Sequence, residues 1–221
     1  MMSSKALRYT SLSDHQVLVI DDDPEVRRSL SALLSAADLP YRCFEKATDF
    51  LEQYQDTGPA CIVTDVRMPE MSGLQMLERM RDHGINHPVI VTTGFSEVET
   101  VIRAFRDGAI DVFEKPISGT LLLERIHIAL EKDSFERKHR ARAHEIRLKM
   151  AELSKREMQV MGMLLVGQSN KEIAWQLKLS DKTIAAHRAK LLSKLAFDSL
   201  TEMVTDLTRL NLAEEITLRA A

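Results

Sequence analysis

Along residues 15–130, short apolar runs alternate with longer stretches whose apolar residues recur every three or four positions. The runs 17–20, 41–44, 61–64, 89–92 and 111–113 are too short for helices and read as strands. The stretches 24–37, 46–54, 72–81, 96–107 and one from Ser118 onward read as helices. Start and stop signals agree with this. Ser72 with Gln75, and Ser96 with Glu99, fit the capping box, in which a serine hydroxyl and an acid or amide three residues later satisfy free helix amides. Gly84 and Gly108 stand where helices should stop. Five strands alternating with five helices predict a doubly wound α/β domain on a parallel sheet, with ligands bound at the carboxyl ends of the strands.

From 121 to 150 the chain has no Pro or Gly, and it becomes strongly charged after Leu130. The fifth helix is therefore expected to run on into an exposed helical linker over 131–150, with a disordered linker as the alternative. Past it, Ser154 with Glu157 forms a third capping box, opening a helix through Val160, Met161, Leu164 and Leu165 to Gly167. A short helix at 170–177, a third at 182–195 and a fourth opened by Ser199 with Glu202 complete an all-α four-helix domain. The organisation expected is a flexible tail 1–14, an α/β domain 15–130, the linker, and a helical domain 151–221.

Charge follows the same division. Residues 1–130 carry 13 basic and 20 acidic side chains, residues 131–150 carry 7 and 4, and residues 151–195 carry 8 and 4. A basic second half hints at nucleic acid, although basic stretches are often only solvated faces. No apolar run approaches the length of a membrane span, and 1–16 lacks the apolar core of a signal peptide. Cys43 and Cys61 have neither metal-ligand nor CxxC spacing; lying in apolar strands, they are expected to be reduced core thiols in a cytoplasmic protein.

The strand ends carry the chemistry. The first strand is followed by Asp21, Asp22 and Asp23, the third by Asp65, the fourth by Thr93 and Gly94, and the fifth by Glu114, Lys115 and Pro116. In a parallel sheet these groups meet at one rim. Crowded carboxylates need a cation, and hard oxygen donors suit Mg²⁺, which keeps several waters and recruits phosphate oxygens. A hydroxyl and an ammonium opposite the acids supply the donor and counter-charge that a transferred phosphoryl group needs. The expected site is a magnesium-dependent phosphoryl centre with Asp65 as acceptor. Any one element is weak, since an Asp after a strand is commonly a helix cap; the ordered set is the signal.

The motifs VLVIDDD, VTDVRMPEMSG, VTTG and FEKP make residues 15–130 resemble the receiver domain of two-component signalling. The resemblance implies a flavodoxin-like strand order 2-1-3-4-5, with Mg²⁺ held by Asp21, Asp22 and Asp65 and with Asp22 a direct ligand. Asp65 is then the phosphoacceptor, Thr93 the switch hydroxyl and Lys115 the phosphate partner, and the bond before Pro116 is cis. Asp23 reads as a helix cap because Pro24 suits the first helical position. The family usually carries an aromatic switch residue three before the lysine. Here that position is Val112, with Phe113, read as core, beside it. Arg67 and Phe95 flank the site as bulky groups that would shield a phospho-aspartate from water.

Residues 152–212, through LSKREMQVM and GQSNKEIAWQLKLSDKTIAAHRAKLLSKL, resemble the LuxR-type helix-turn-helix, and the whole chain resembles the FixJ subgroup of the NarL/FixJ regulators. The helix 182–195 then enters the major groove. At 100° per residue Ile184, Leu191, Leu192 and Leu195 form its buried stripe, and Arg188 at the stripe's edge is expected to pair with an acid such as Glu172. The outer face carries Lys182, Ala185, Ala186, Ala189, Lys190 and Ser193. Alanine reads only thymine methyls, so Lys171, Lys182, Lys190 and Lys194 are expected to contact phosphates, with Thr183 beside them. His187 is a base or phosphate contact or else a packing group. The partners implied are a sensor histidine kinase, double-stranded promoter DNA, a second copy of the phosphorylated chain and, as a further candidate, RNA polymerase; no membrane and no enzyme activity are implied.

Overall fold

The computed structural model describes residues 15–94 and 97–220; the predicted tail 1–14, Phe95 and the capping residue Ser96 lie outside them. β1 (Gln16–Ile20), β2 (Tyr41–Phe44), β3 (Ala60–Asp65), β4 (Val89–Thr93) and β5 (Ala109–Glu114) form one parallel sheet in the order β2-β1-β3-β4-β5. Between them run α1 (Pro24–Ala36), α2 (Ala47–Gln53), α3 (Gly73–Asp82) and α4 (Val98–Asp107), and α5 (Gly119–Met150) follows the last strand.

Strand alternation sends successive side chains to opposite faces of the sheet. Leu18, Ile20, Ile62 and Val91 meet α2, α3 and α4 through Phe50, Met76, Leu77, Met80 and Ala104. On the other face Val17, Val19, Cys61, Val63 and Ile90 meet α1 and α5 through Leu34, Leu122, Ile126 and Leu130. Covered on both sides, β1 and β3 are apolar runs, as central parallel strands are. Asp23 caps α1 by accepting from Glu25 N, Ser72 and Gln75 form the expected box at α3, and Gly108 closes α4 at φ 104°. Helix α4 starts at Val98 with no side-chain cap from Glu97.

Two expectations are corrected here. Cys43 is exposed, because β2 is an edge strand with one face turned from the core; only Cys61 is buried. Nor is the stretch 131–150 simply an exposed linker. Two compact units divide at Arg137 and Lys138, inside α5. In the first unit Asp133 is fully buried, its Oδ2 accepting from Ala60 N at 2.9 Å and lying 2.8 Å from His87 Nδ1.

In the second unit Ala143, Ile146 and Met150 of α5 are buried with Met161, Leu191, Leu195, Phe197, Met203, Leu207, Leu212 and Ile216. The four expected helices are α6 (Lys155–Leu165), α7 (Asn170–Leu177), α8 (Asp181–Leu195) and α9 (Leu200–Arg209), and a further helix, α10 (Ala213–Ala220), lies against α6. Serine caps open α6, α7, α8 and α9 at Ser154, Ser169, Ser180 and Ser199. Lys178 in the left-handed region ends α7 and starts the turn into α8.

Candidate functional site

The sheet order reverses between β1 and β3, and the acidic groups stand at the carboxyl ends of these two strands, where such sheets bind ligands. Asp65 closes β3, and Asp21 follows β1; both are buried. Lys115, just beyond β5, spans them. Its ammonium lies 2.6 Å from Asp65 Oδ1 and 2.8 Å from Asp21 Oδ2. The remaining oxygens accept backbone amides, Asp65 Oδ2 from Arg67 N at 2.6 Å and Asp21 Oδ1 from Asp23 N at 2.9 Å. Thr93, buried at the end of β4, accepts the Lys115 N–H on its carbonyl at 2.7 Å. The Lys115–Pro116 bond is cis.

Burial raises the Asp21 carboxyl above the ordinary carboxylate value, against the opposing pull of Lys115 and the Asp23 amide. Burial alone would lower the Lys115 ammonium, but its bonds to Asp21 and Asp65 outweigh that and raise it. A cation held between two carboxylates is a charge reserve: anything that discharges one acid frees the ammonium for another anion.

Among the described residues no three or more Asp, Glu, His or Cys side chains are gathered as a metal site, so no preformed three-carboxylate cluster is present. Magnesium is usually held through one or two carboxylates plus waters and phosphate oxygens. The donor set of Asp21 and Asp65, with the partly exposed Asp22 next in the chain, fits that chemistry.

Two supports were not foreseen. Arg27 folds back over the acidic turn, donating from Nη1 to the carbonyls of Asp21 at 2.7 Å and Asp22 at 2.9 Å, with Nη2 3.6 Å from Glu45. One signal existed: a cation near a helix N-terminus opposes the helix dipole, so Arg27 needed another reason to be there. Gly73 is the second. A Cβ on it would stand 2.1 Å from the Asp65 carbonyl oxygen, so α3 packs on the end of β3 only because that side chain is missing. Of the switch positions, Val112 packs toward the α2–α4 layer and Phe113 toward the α1–α5 layer, so the aliphatic residue takes the side facing α4.

In the second unit Lys182, Ala185, Ala186, Ala189, Lys190 and Ser193 of α8 are exposed, as is Lys171 on α7. Ile184, Leu191 and Leu195 are buried, and His187 and Arg188 are partly so. The Thr183 hydroxyl lies 2.8 Å from the Ser180 hydroxyl, within the cap of α8. No ion pair among the described residues joins Arg188 to Glu172, whose carboxylate instead accepts from Ser169 N at 2.7 Å as part of the α7 cap. Lys194, another of the expected phosphate contacts, is exposed and has partners within the domain. Its ammonium lies 2.7 Å from Glu157 and 3.3 Å from the Glu152 carbonyl. That bond, with the Ser154 amide, holds the buried Glu157 carboxyl down to about 2.

Two family models match this chain: the response regulator receiver domain over residues 17–127, and the bacterial regulatory proteins of the luxR family over residues 151–206. The transcriptional regulatory protein FixJ of Rhizobium meliloti (strain 1021) is 35% identical over 87% of this chain and 95% of its own length. The response regulator protein TodT of Pseudomonas putida is 33% identical over 92% of this chain and 90% of its own. Among solved structures, the response regulator StyR superposes with a TM-score of 0.75 at 31% identity, covering 89% of this chain and 99% of that one. Full-length FixJ from B. japonicum gives 0.55 at 36%, covering 89% and 97%. Two matched domains in the order found in relatives of nearly equal length leave one placement: this chain belongs to the NarL/FixJ family of response regulators, two-component transcription regulators that join a receiver to a LuxR-type DNA-binding domain.

Proposed function

We propose that Asp65 takes a phosphoryl group from the phosphohistidine of a sensor kinase in a magnesium-dependent step, and that the phosphorylated chain dimerises and binds promoter DNA in the cytoplasm. The observation that supports it most directly is the Lys115 ammonium shared between Asp21 and Asp65. A carboxylate oxygen of Asp65 attacks phosphorus, the bond to the kinase imidazole breaks, and an acyl phosphate forms. Mg²⁺ bound by Asp21 and Asp65, with Asp22 beside them, would neutralise the phosphoryl oxygens as charge moves. Lys115 then exchanges its Asp65 contact for phosphoryl oxygen while keeping Asp21. Thr93, at the end of β4 beside Lys115, is the hydroxyl donor for the phosphate. The group adds about two negative charges, and the surface of α4 and β5 repacks around it to form the contact between copies.

In the second unit α7 supports α8 in the major groove. Lys171, Lys182 and Lys190 contact phosphates, while Ala185, Ala186 and Ala189 leave thymine methyls as the only base features within reach. Thr183 and His187 complete that face. Lys194, exposed but paired with Glu157, contributes less to phosphate binding than those three lysines. Specificity then comes from half-sites about 34 Å apart and from DNA shape.

The test is capture and sequencing of genomic fragments by the purified chain, with and without Mg²⁺ and beryllofluoride as phosphoryl mimic, beside Asp65→Asn. A paired-half-site motif enriched by the mimic in the wild type and absent in Asp65→Asn supports the reading. Enrichment equal in all four conditions overturns the phosphorylation switch, and none in any condition overturns DNA as the target.

A further inference from the structure

We propose that Arg27 is a positioning residue for the phosphoryl site: its guanidinium shapes the turn Asp21–Asp23 from behind and so sets the site's affinity for a divalent cation, without touching cation or phosphate. The inference rests on the magnesium-dependent reading above.

The side chain comes from the first turn of α1, where a cation opposes the helix dipole. Its neighbour Arg28 takes the ordinary course, 75% exposed and paired with Glu25 within the same helix. Arg27 is only 19% exposed. One nitrogen, Nη1, donates to two successive carbonyls, Asp21 at 2.7 Å and Asp22 at 2.9 Å. Glu45, after β2, holds the other end at 3.6 Å from Nη2.

Successive carbonyls gripped by one planar group cannot rotate independently, so the backbone angles of Asp21 and Asp22 are coupled. Those angles aim the two carboxylates. The same turn places Asp23 N on Asp21 Oδ1, leaving Oδ2 to face Lys115. A fixed positive charge behind the turn also offsets repulsion between neighbouring carboxylates, which is greatest when no cation is bound. Both effects favour an acid pair arranged before the metal arrives. Pre-arrangement appears in affinity because ordering does not then have to accompany binding.

Lysine keeps the charge and donors for the carbonyls but lacks the planar group and the second nitrogen that faces Glu45, so Arg27→Lys should hold the turn less rigidly. Arg27→Gln removes the charge and the reach. Both variants of the full chain are compared with the wild type in three measurements. The first is Mg²⁺ binding by calorimetry. The second is the Mg²⁺ dependence of acetyl-phosphate uptake, separated into half-saturating concentration and plateau. The third is hydrogen exchange of the Asp23 amide without metal. We expect Arg27→Gln to raise the Mg²⁺ dissociation constant and half-saturating concentration about tenfold, with the plateau unchanged and Asp23 exchanging faster. Arg27→Lys should fall between. The melting temperature is recorded alongside, and Arg27→Lys, the milder change, carries the test if Arg27→Gln fails to fold. Wild-type Mg²⁺ affinity in a folded Arg27→Gln or Arg27→Lys chain overturns the inference and leaves the phosphoryl reading standing. A wild type that binds no Mg²⁺ overturns both. A plateau lowered at unchanged Mg²⁺ affinity also overturns it, since Arg27 would then act on transfer itself.

Discussion

The most informative single perturbation of the first unit lies at the far end of its sheet from Asp65. Asp133 is fully buried on α5, and its Oδ2 accepts from Ala60 N at the start of β3 and pairs with His87 Nδ1 just before β4. His87 Nε2 lies 2.7 Å from Tyr54 Oη, so in the tautomer with hydrogen on Nδ1 the ring donates to Asp133 and accepts from Tyr54. Burial pushes the Tyr54 hydroxyl up to about 12, which keeps it a donor. Replacing Asp133 with Ala leaves two buried donors, the Ala60 amide and the His87 ring, without this acceptor. A buried donor left unsatisfied costs about 1–3 kcal/mol, so the variant should lose about 2–6 kcal/mol of the roughly 5–15 kcal/mol that stabilises an ordinary domain. Asp133→Asn keeps an acceptor oxygen but loses charge assistance, and should lose about half as much. A chain ended at Leu130 sheds Asp133 together with Arg137, which pairs with Asp56 at 2.5 Å, and should be at least as weak as Asp133→Ala. The assay is urea unfolding by circular dichroism with hydrogen exchange read at Ala60. The only tryptophan, Trp175, sits on α7 in the second unit, so its fluorescence reports on that unit and serves as the control. An Asp133→Ala chain within about 0.5 kcal/mol of wild type, with Ala60 still protected, would refute the reasoning.

Three further outcomes follow from the same geometry. Gly73→Ala drives a Cβ to 2.1 Å from the Asp65 carbonyl oxygen, so α3 or the end of β3 must shift; a loss of about 1–3 kcal/mol and slower acetyl-phosphate uptake are expected, and normal melting with normal uptake would count against this packing. Glu157 has its carboxyl lowered from 4.5 to about 2, so its pairing with Lys194 stabilises the second unit fully above pH 4.5, and that stabilisation is lost as pH falls from there through about 2. Because Lys194 is 38% exposed, screening reduces the contribution to about 1–2 kcal/mol; Glu157→Gln should flatten that limb of the stability curve, read by exchange at the Val160 and Met161 amides. Lys190→Ala should weaken every DNA site alike and lower the salt slope by about one, whereas a changed order of preferred sequences would show that Lys190 reads bases.

The sequence by itself determined the elements of the first unit and helices α6 to α9 of the second, their order, and which groups stand at the strand ends, Asp21, Asp65, Thr93 and Lys115. Apolar periodicity is local, and strand ends fall where it stops; in a parallel sheet all such ends share one rim, so the groups there can be named without coordinates. Helix starts were legible for the same reason, since Ser72, Ser154 and Ser199 each act on a residue three positions away. The tertiary structure decided what depends on partners far along the chain. Asp133 and Lys194 each looked like one more charge on a polar helix, yet they bond residues 73 and 37 positions distant. Arg27 lay closer in sequence, but its reach back to two carbonyls depends on how α1 leaves the turn. Cys43 was exposed because β2 ended up at the edge, a fact of strand order that its own apolar neighbours do not encode. A pattern of apolar positions says which face a residue occupies. Only the fold says what stands opposite it, and a buried charge is kept by the group that meets it there.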